Sequence, residues 1–334
     1  MMTIKDIAKE ANCSLSTVSK AINGRSDISE ATRMRILKIA KEHNFVPSAF
    51  GKGLKNRKTE NIGVIFCRES QPLSLNPFYS RVLEGIEAEL AINNYNLVLH
   101  LLPEEYRGEY PKMLKERNVD GVVLIGVLQE NFINQLKKQN IPTILIDPKI
   151  TTRDFNQVLI DNEHGAYLAT QFLINKGHKK IAFISGDLER ESFRQRYLGY
   201  QKAMNRYKLK IDKEYIRTGG LENGYEHVAS LLELKERPTA IFAANDINAI
   251  YGYRAIKDYK MQIPEEISIV GFDDIELAKM ATPPLTTIRV YKEEMGSIAV
   301  RNLLQIINNE ADRPMSVLVP VRLIERSSVC APKE

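Results

Sequence analysis

The chain has 334 residues and a mass of 38.0 kDa and is 43% hydrophobic, which suits two or three folded domains and excludes an intrinsically disordered chain. Its net charge of +5 is uneven, because residues 1–60 hold 12 Lys and Arg against 6 Asp and Glu, or +6, and the remainder holds 35 against 36, or −1. A basic segment attached to a nearly neutral body is typical of a module that binds a polyanion, although the excess charge could also serve solubility alone.

Cysteine usage and hydropathy favour a cytoplasmic protein. Cys13, Cys67 and Cys330 are an odd number of cysteines without metal-ligand spacing, so we expect reduced thiols and no bound metal. No segment approaches the roughly 18 consecutive apolar residues that span a bilayer, and the polar start is unlike a secretory signal. We therefore expect no membrane association.

The N-terminus predicts two short helices joined by a tight turn. Thr3 can cap a first helix whose apolar residues recur at helical spacing from Ile4 to Ala11. After a break at residues 12–14, a second helix from Leu15 to Ile22 turns a polar face outward. This is the layout of a helix-turn-helix, whose second helix enters the DNA major groove. A helical hairpin without a DNA-binding role has the same pattern.

A third helix is predicted over residues 33–43. Gly24 can end the second helix, and Ser29 begins a segment that resembles a capping box. The apolar residues of the third helix would cover the other two helices, and these residues are Met34, Leu37, Ile39 and Ala40.

Two segments carry a close resemblance to a known family. They are TIKDIAKEANCSLSTVSKAING and ISEATRMRILKIAKEHNFVPSAFGKGL. They resemble the headpiece and hinge of the LacI/GalR (lactose-repressor) family of bacterial transcription regulators, and the later part of the chain resembles that family too. The resemblance implies a DNA-binding headpiece at residues 1–46, a hinge helix or linker at 47–60, and an effector-binding and dimerisation core at 61–334.

The resemblance also assigns expected DNA contacts. Leu15, Ser16 and Lys20 match the base-contacting positions, and Leu54 matches a leucine that enters the minor groove at the operator centre. Gly51 and Gly53 weaken an isolated helix here, so the segment could also be only a flexible linker. The side chains better placed for phosphates are Thr3, Ser14, Thr17, Ser19 and Asn23.

From residue 61 onward, short apolar runs alternate with longer amphipathic segments. The predicted strands are 62–66, 97–101, 121–125, 143–146, 158–160, 181–185, 240–243, 267–271 and, less clearly, 286–290. The predicted helices between them are 78–93, 165–176, 196–207, 225–234, 249–259 and 295–308. Continuous apolar strands separated by helices indicate parallel sheets covered on both faces, and about nine strands fit two doubly wound units.

The predicted fold is an all-α helix-turn-helix headpiece followed by an α/β core of two lobes, which looks like a periplasmic sugar-binding protein. By resemblance, residues 161–166 mark the crossing into the second lobe, and residues 284–288 precede the return to the first. The first lobe is expected at about residues 61–160 and 289–320, and the second at about 161–288 and 321–330.

Polar residues at the predicted strand ends are candidates for contact with an effector, because ligands bind outside the carboxyl ends of parallel strands. By resemblance, Phe78 and Tyr79 match the family's aromatic contact region, Arg196 its central arginine, and Asn245 and Asp273 an inner polar pair. Strand-end position adds four further candidates, which are Asn76, Asp147, Arg190 and Ser192.

Each candidate has a structural alternative. Asn245 and Asp273 could simply begin helices, and Phe78 could be a core residue. Arg190 and Arg196 lie in a charged run that could be a solvated surface.

The sequence gives no support for catalysis. No G-x-S-x-G, H-E-x-x-H, P-loop or dinucleotide-binding motif occurs, and no cofactor is expected. We therefore predict a homodimeric, operator-binding transcription regulator, most simply a repressor, controlled by a small molecule such as a sugar. The alternative is a cytosolic sugar-binding or sugar-modifying protein with an incidental basic N-terminus.

Overall fold

The computed structural model describes two compact units, residues 1–59 and 60–334. The described residues are 2–22, 25, 27–43, 45, 58–67, 73, 76–102, 110–126, 130–148, 154–220, 223–310 and 313–333. Among them, no helix is both long enough and apolar enough to cross a bilayer.

The first unit contains the three predicted helices, α1 (Ile4–Glu10), α2 (Leu15–Ile22) and α3 (Glu30–Glu42). Thr3 caps α1 in a capping box, in which its hydroxyl accepts from the N–H of Asp6 at 3.3 Å and the Asp6 carboxylate accepts from the N–H of Thr3 at 2.8 Å. Asn12 takes a positive φ of 46° in the turn between α1 and α2. The predicted helix-turn-helix layout is therefore present.

The apolar face of α3 differs from the predicted one. The helix begins at Glu30, and Ser29 caps it by accepting from the N–H of Thr32 at 3.3 Å. Ile36 and Ile39 are buried, whereas Met34 and Leu37 are exposed. Helix α3 begins earlier than predicted, but this does not change the spacing of its apolar residues. The apolar stripe that faces α1 and α2 runs through residues 36, 39 and 40. The prediction that Met34 and Leu37 cover the other helices was therefore wrong.

The second unit contains two six-stranded sheets, which we call the first and second lobes together with the helices packed on them. The first lobe has β1 (Asn61–Cys67), β2 (Asn96–Leu102), β3 (Gly121–Ile125), β4 (Thr143–Ile146), β5 (Asn156–Ile160) and β11 (Ser316–Val319). The second lobe has β6 (Ile181–Ser185), β7 (Ile216–Thr218), β8 (Ala240–Ala243), β9 (Ser268–Asp273), β10 (Thr286–Val290) and β12 (Val321–Ile324).

The sheet orders are β11-β5-β4-β3-β1-β2 and β12-β10-β9-β8-β6-β7. All pairings in the first sheet are parallel, and in the second only β12, beside β10, is antiparallel. The prediction that the sheets are wholly parallel is therefore wrong at one edge of the second sheet, where β12 lies. Sequence analysis missed β7, β11 and β12, because these strands are short, lie at or near sheet edges and are only partly buried.

Helices cover both sheets, as the alternation predicts. Their bounds are α4 (Tyr79–Ile92), α5 (Lys112–Lys115), α6 (Glu130–Lys138), α7 (Asn162–Asn175), α8 (Glu191–Arg206), α9 (Gly224–Leu232), α10 (Asp246–Asp258), α11 (Glu276–Met280) and α12 (Lys292–Ile307). Sequence analysis missed α5, α6 and α11, which are at most nine residues long.

The chain passes between the lobes at three places, which join β5 to α7, β10 to α12, and β11 to β12. Helix α12 packs on α4 and on the first sheet, whereas α7 packs on α8 and on the second. Strand β10 of the second sheet extends to Val290, two residues past the expected end of this second-lobe segment at about 288.

Helices α4 and α12 approach each other closely at two glycines. A methyl group added at Gly85 would lie 2.0 Å from the carbonyl oxygen of Glu293, and one at Gly296 would lie 2.3 Å from that of Val82. Neither neighbour is a flexible side chain, so the helices must move apart to accept a larger residue. The close approach fixes α12 on the first lobe.

We expect Gly85→Ala to lower the free energy of unfolding by about 2 kcal/mol, because overpacking of a close contact outweighs the gain in helix propensity. Ala88→Ser adds one atom on the exposed side of α4 and should change stability by less than about 0.5 kcal/mol. Urea-induced unfolding measures both variants. Equal stabilities would contradict the close packing of α4 on α12.

Candidate functional site

The outward face of α2 carries most of the predicted DNA contacts. Leu15 and Ser16 are exposed, and Leu15 presents 47% of its surface to solvent. The hydroxyl of Ser14 lies 2.8 Å from those of Ser16 and Thr17 and accepts from the N–H of Thr17 at 3.1 Å. Ser14 therefore caps α2, as Thr3 caps α1, in addition to any contact with phosphate. Ser19 is partly exposed on the same helix.

Lys20 has a partner that sequence analysis missed. Its ammonium lies 2.7 Å from a carboxylate oxygen of Asp27, in the segment between α2 and α3. The hydrogen bond from Lys20 holds the pKa of the Asp27 carboxyl below its ordinary value. No sequence rule pairs the last turn of a helix with a residue in the following loop. The predicted contacts Asn23 and Leu54 lie outside the described residues.

In the first lobe, the predicted residues gather where α4 begins. The side-chain oxygen of Asn76 accepts from the N–H groups of Phe78 at 3.1 Å and Tyr79 at 3.0 Å, which fixes the start of the helix. The Tyr79 hydroxyl donates to the Asp147 carboxylate, at the end of β4, at 2.9 Å. Phe78 and Phe66 both pack edge-on against the Tyr79 ring. Asn76 therefore has a structural role, and Tyr79 is tied to Asp147.

In the second lobe, Arg196 is the most constrained of the predicted residues. It is 4% exposed, so it does not belong to a solvated surface. Its guanidinium donates to the Asn162 side chain at 2.8 Å and to the Ala244 carbonyl at 2.5 Å. The ring of Phe272 lies under it, 3.7 Å from ring centroid to guanidinium carbon. Sequence analysis missed Asn162 and Phe272, because an amide in a first helical turn and a buried strand residue have many ordinary roles.

Asp273, at the end of β9, faces Arg196. A guanidinium nitrogen lies 3.2 Å from the Asp273 Oδ1 atom, but the geometry is poor and this buried oxygen has no hydrogen bond among the described residues. Burial raises the pKa of Asp273 to about 6, although the Arg196 charge opposes the shift. The Asp273 carboxylate therefore keeps capacity to accept a further hydrogen bond.

Asn245 behaves as the structural alternative predicts. Its side-chain oxygen caps α10 by accepting from the N–H of Asn248 at 2.8 Å. The residue is nevertheless buried, next to Ala244, whose carbonyl binds Arg196. Asn245 thus lies at the same strand end as the Arg196 cluster.

The residues of the two lobes are close enough to influence one another electrostatically. Burial raises the pKa of Asp147, and the positive charge of Arg196 opposes that shift. The negative charge of Asp147 in turn contributes to the raised pKa of Asp273. Tyr79 and Asp147 of the first lobe therefore lie near Arg196 and Asp273 of the second, and we call the region between these residues the cleft.

Arg190 and Ser192 lie at the rim of this group. Both are partly exposed, Arg190 just before α8 and Ser192 in its first turn. The Arg190 guanidinium is 6.0 Å from the ring centroid of Phe193.

The cleft offers hydrogen-bond donors and acceptors beside aromatic rings. A carboxylate can accept hydrogen bonds from the hydroxyl groups of a ligand, and a guanidinium can donate hydrogen bonds to those hydroxyl groups. The face of an aromatic ring can cover an apolar ring surface of the ligand. Within the described ranges, no three His, Cys, Asp or Glu side chains lie together as a metal site would require. The arrangement suits recognition of a small polar molecule.

We expect the stability of the protein to report the raised pKa of Asp273. A carboxyl whose pKa is higher in the folded chain stabilises the fold at low pH, and this contribution is lost as pH rises through about 6. Between pH 4 and 7 the wild type should therefore lose about 2 kcal/mol of unfolding free energy relative to Asp273→Asn. Urea unfolding of both proteins across this pH range measures the difference. A difference that does not change with pH would contradict a desolvated Asp273.

Comparison with known proteins identifies both units. The family model described as bacterial regulatory proteins, lacI family, matches residues 3–48, and the periplasmic binding protein-like domain matches residues 170–329. The HTH-type transcriptional repressor PurR of Vibrio atlanticus (strain LGP32) is 34% identical over 335 residues, which cover 98% of this chain and 99% of the relative. The ribose operon repressor of Escherichia coli (strain K12) is 35% identical over 334 residues, which cover 98% of this chain and 100% of the relative.

The structural comparison agrees. The Lac repressor dimer bound to operator and the anti-inducer ONPF superposes with a TM-score of 0.86 at 26% identity, covering 99% of each chain. The predicted headpiece and two-lobed core are thereby confirmed, and a sugar-binding protein with an incidental basic N-terminus is excluded by the match to the headpiece. The chain is a DNA-binding transcriptional regulator that belongs to the LacI family of bacterial regulatory proteins.

Proposed function

We propose that this protein is a homodimeric repressor, acting on DNA in the bacterial cytoplasm, whose operator affinity is set by a sugar or sugar derivative bound between its lobes. The observation that carries the proposal is the facing set of Tyr79 and Asp147 in the first lobe and Arg196 and Asp273 in the second. Because its relatives are transcriptional repressors, we propose no catalytic activity.

The DNA side of the proposal rests on α2. Leu15 can contact a thymine methyl, Ser16 can hydrogen-bond to a base edge, and Lys20 can donate to a guanine. The partial exposure of Lys20 leaves its ammonium able to exchange Asp27 for DNA. The side chains proposed to bind phosphates are Thr3, Ser14, Thr17, Ser19 and Asn23.

A dimer supplies the specificity that one headpiece lacks. A single helix-turn-helix contacts few base pairs, so two copies related by a two-fold axis on a near-palindromic operator are the expected geometry. The similar Lac repressor structure is described as a dimer bound to operator, which supports this assembly. We propose that Leu54 enters the minor groove at the operator centre, where an apolar side chain can unstack a base step.

The effector side of the proposal follows from the chemistry of the cleft. A sugar presents neighbouring hydroxyls that both accept and donate, which suits the Arg196 guanidinium and the carboxylates of Asp147 and Asp273. Phe78 can cover an apolar ring face. The name of one relative, a ribose operon repressor, supports the sugar class. The other proposed effector contacts are Asn76, Tyr79, Arg190, Ser192 and Asn245.

Coupling between the cleft and DNA follows from linkage. A ligand that binds one arrangement of the lobes more tightly shifts the chain toward that arrangement. If the operator also prefers one arrangement, ligand and operator change each other's affinity by the same factor.

We expect Lys20→Ala to weaken binding to a selected operator duplex by about tenfold or more and to relax base preference at one position, since a base contact contributes about 1 to 3 kcal/mol. Lys257→Ala removes the same charge from an exposed position on α10 and should leave operator affinity within about twofold. Fluorescence anisotropy at several salt concentrations measures both. Equal effects of the two substitutions would show that Lys20 contributes only charge.

We expect Tyr79→Phe to raise the dissociation constant of the effector about tenfold, because it removes the hydroxyl that binds Asp147 and leaves a buried carboxylate less well paired. Tyr95→Phe, outside the cleft, is the matched control. A thermal-shift screen of pentoses, hexoses and their phosphates, begun with D-ribose, identifies the ligand, and calorimetry compares the variants. If no sugar stabilises the wild type, the proposed sugar class is wrong. If Tyr79→Phe binds the ligand as the wild type does, the proposed site is wrong.

A further inference from the structure

Lys292 is a buried lysine that the predicted site did not include. It is the first residue of α12 and is 5% exposed. Its ammonium donates to three backbone carbonyls, those of Asp273 at 2.5 Å, Asp274 at 3.2 Å and Val290 at 3.2 Å. An ammonium has three N–H donors, so these contacts can use all of them.

Two of the three carbonyls belong to residues with an unusual backbone. Asp273 has φ +115° and Asp274 has φ +53°, although neither is glycine. Such conformations cost free energy and persist only where the surroundings fix them. The turn that they form ends β9 and directs the Asp273 carboxylate toward Arg196. Lys292 thus binds the backbone that aims an effector-contacting side chain.

The side chain of Asp274 holds the turn from within the second lobe. Its carboxylate accepts from Arg289 at 2.6 Å and from Arg326 at 2.5 Å, and these arginines keep the pKa of Asp274 below its ordinary value. Arg326 also donates to the carbonyl of Leu285 at 2.7 Å. These contacts fix the turn to β10 and to the segment after β12, but they do not reach the first lobe.

Lys292 supplies the link to the first lobe. Helix α12 packs closely on α4, where the Ser297 hydroxyl donates to the Gly85 carbonyl at 3.2 Å. The Lys292 ammonium also lies 5.9 Å from the ring centroid of Phe78, just before α4. Since α4 begins with Tyr79, Lys292 ties the Asp273 turn to the helix that carries the facing side of the cleft.

We propose that Lys292 is the positioning residue of the effector site: its ammonium holds the Asp273–Asp274 turn in place and fixes the Asp273 carboxylate relative to the first lobe. The consequence for ligand binding rests on the proposed function, whereas the consequence for the turn does not. Lys292 itself need not touch the ligand.

The test compares Lys292→Met, which keeps the length of the side chain and removes its donors, with Lys279→Met. Lys279 is an exposed lysine on α11 whose ammonium contacts Glu276 at 2.7 Å. In the full-length protein without ligand, we expect amide hydrogen exchange in residues 268–276 to become at least about tenfold faster in Lys292→Met. Exchange in Lys279→Met should match the wild type. Unchanged exchange in Lys292→Met would overturn the proposal.

The ligand arm uses D-ribose as the probe. Calorimetry should give a dissociation constant at least about tenfold higher for Lys292→Met, with partial recovery in Lys292→Arg, which keeps the charge and several donors. A fall in thermal stability with unchanged ribose affinity would show that Lys292 has only a structural role.

Two outcomes separate this proposal from the proposed function. If the wild type does not bind D-ribose, the sugar assignment loses its first candidate, and hydrogen exchange alone decides the role of Lys292. If the wild type binds D-ribose and Lys292→Met binds it equally well, the sugar assignment stands and the positioning role is wrong.

If Lys292→Met does not fold, Lys292→Gln, which keeps one donor group, takes its place in both experiments, and the expected directions of change are the same.

Discussion

The ion pair between Arg196 and Asp273 is the interaction on which the proposed effector site depends. Both residues are almost completely withdrawn from water, where an unpaired charge would be strongly unfavourable. Arg196 is fixed by an amide, a backbone carbonyl and an aromatic ring, so its position is set before any ligand arrives. The carboxylate is less completely satisfied than the guanidinium. A rigid donor, the Arg196 guanidinium, therefore lies beside the Asp273 carboxylate, which can accept a further hydrogen bond from a ligand hydroxyl.

The charges around this pair involve both lobes. Asp147 belongs to the first lobe and Asp273 to the second; the charge of Asp147 contributes to the raised pKa of Asp273, and the charge of Arg196 opposes the rise in pKa of both carboxyls. Lys292, at the crossing from β10 to α12, binds the Asp273 turn through its backbone. Because the charges lie in a region of low dielectric constant, a small movement of one lobe changes their mutual energy appreciably. A ligand that bridges them can therefore favour one lobe arrangement over another.

The sequence predicted the elements that have a strong local pattern. Nine strands were predicted from continuous apolar runs, because a strand that is buried on both faces is apolar along its length. The helices of the headpiece were predicted from helical spacing, because a helix that is buried along one stripe repeats its apolar residues periodically. Edge strands such as β12 were not predicted, because a strand whose residues are half-exposed has no continuous apolar run. The contacts of Lys20 with Asp27 and of Arg196 with Asn162 depend on proximity in the folded chain, which spacing along the sequence does not reveal. Lys292 was hidden for the same reason, because its acceptors are backbone carbonyls.

We propose that a ligand in the cleft and an operator on the headpieces act on one equilibrium between lobe arrangements. The most direct test measures operator affinity with and without saturating ligand, and ligand affinity with and without saturating operator, under one buffer condition. We expect the two ratios to be equal and to differ from one, by about 5-fold to 150-fold for a typical allosteric protein. Ratios of one would contradict a shared equilibrium, because ligand and operator would then bind independently.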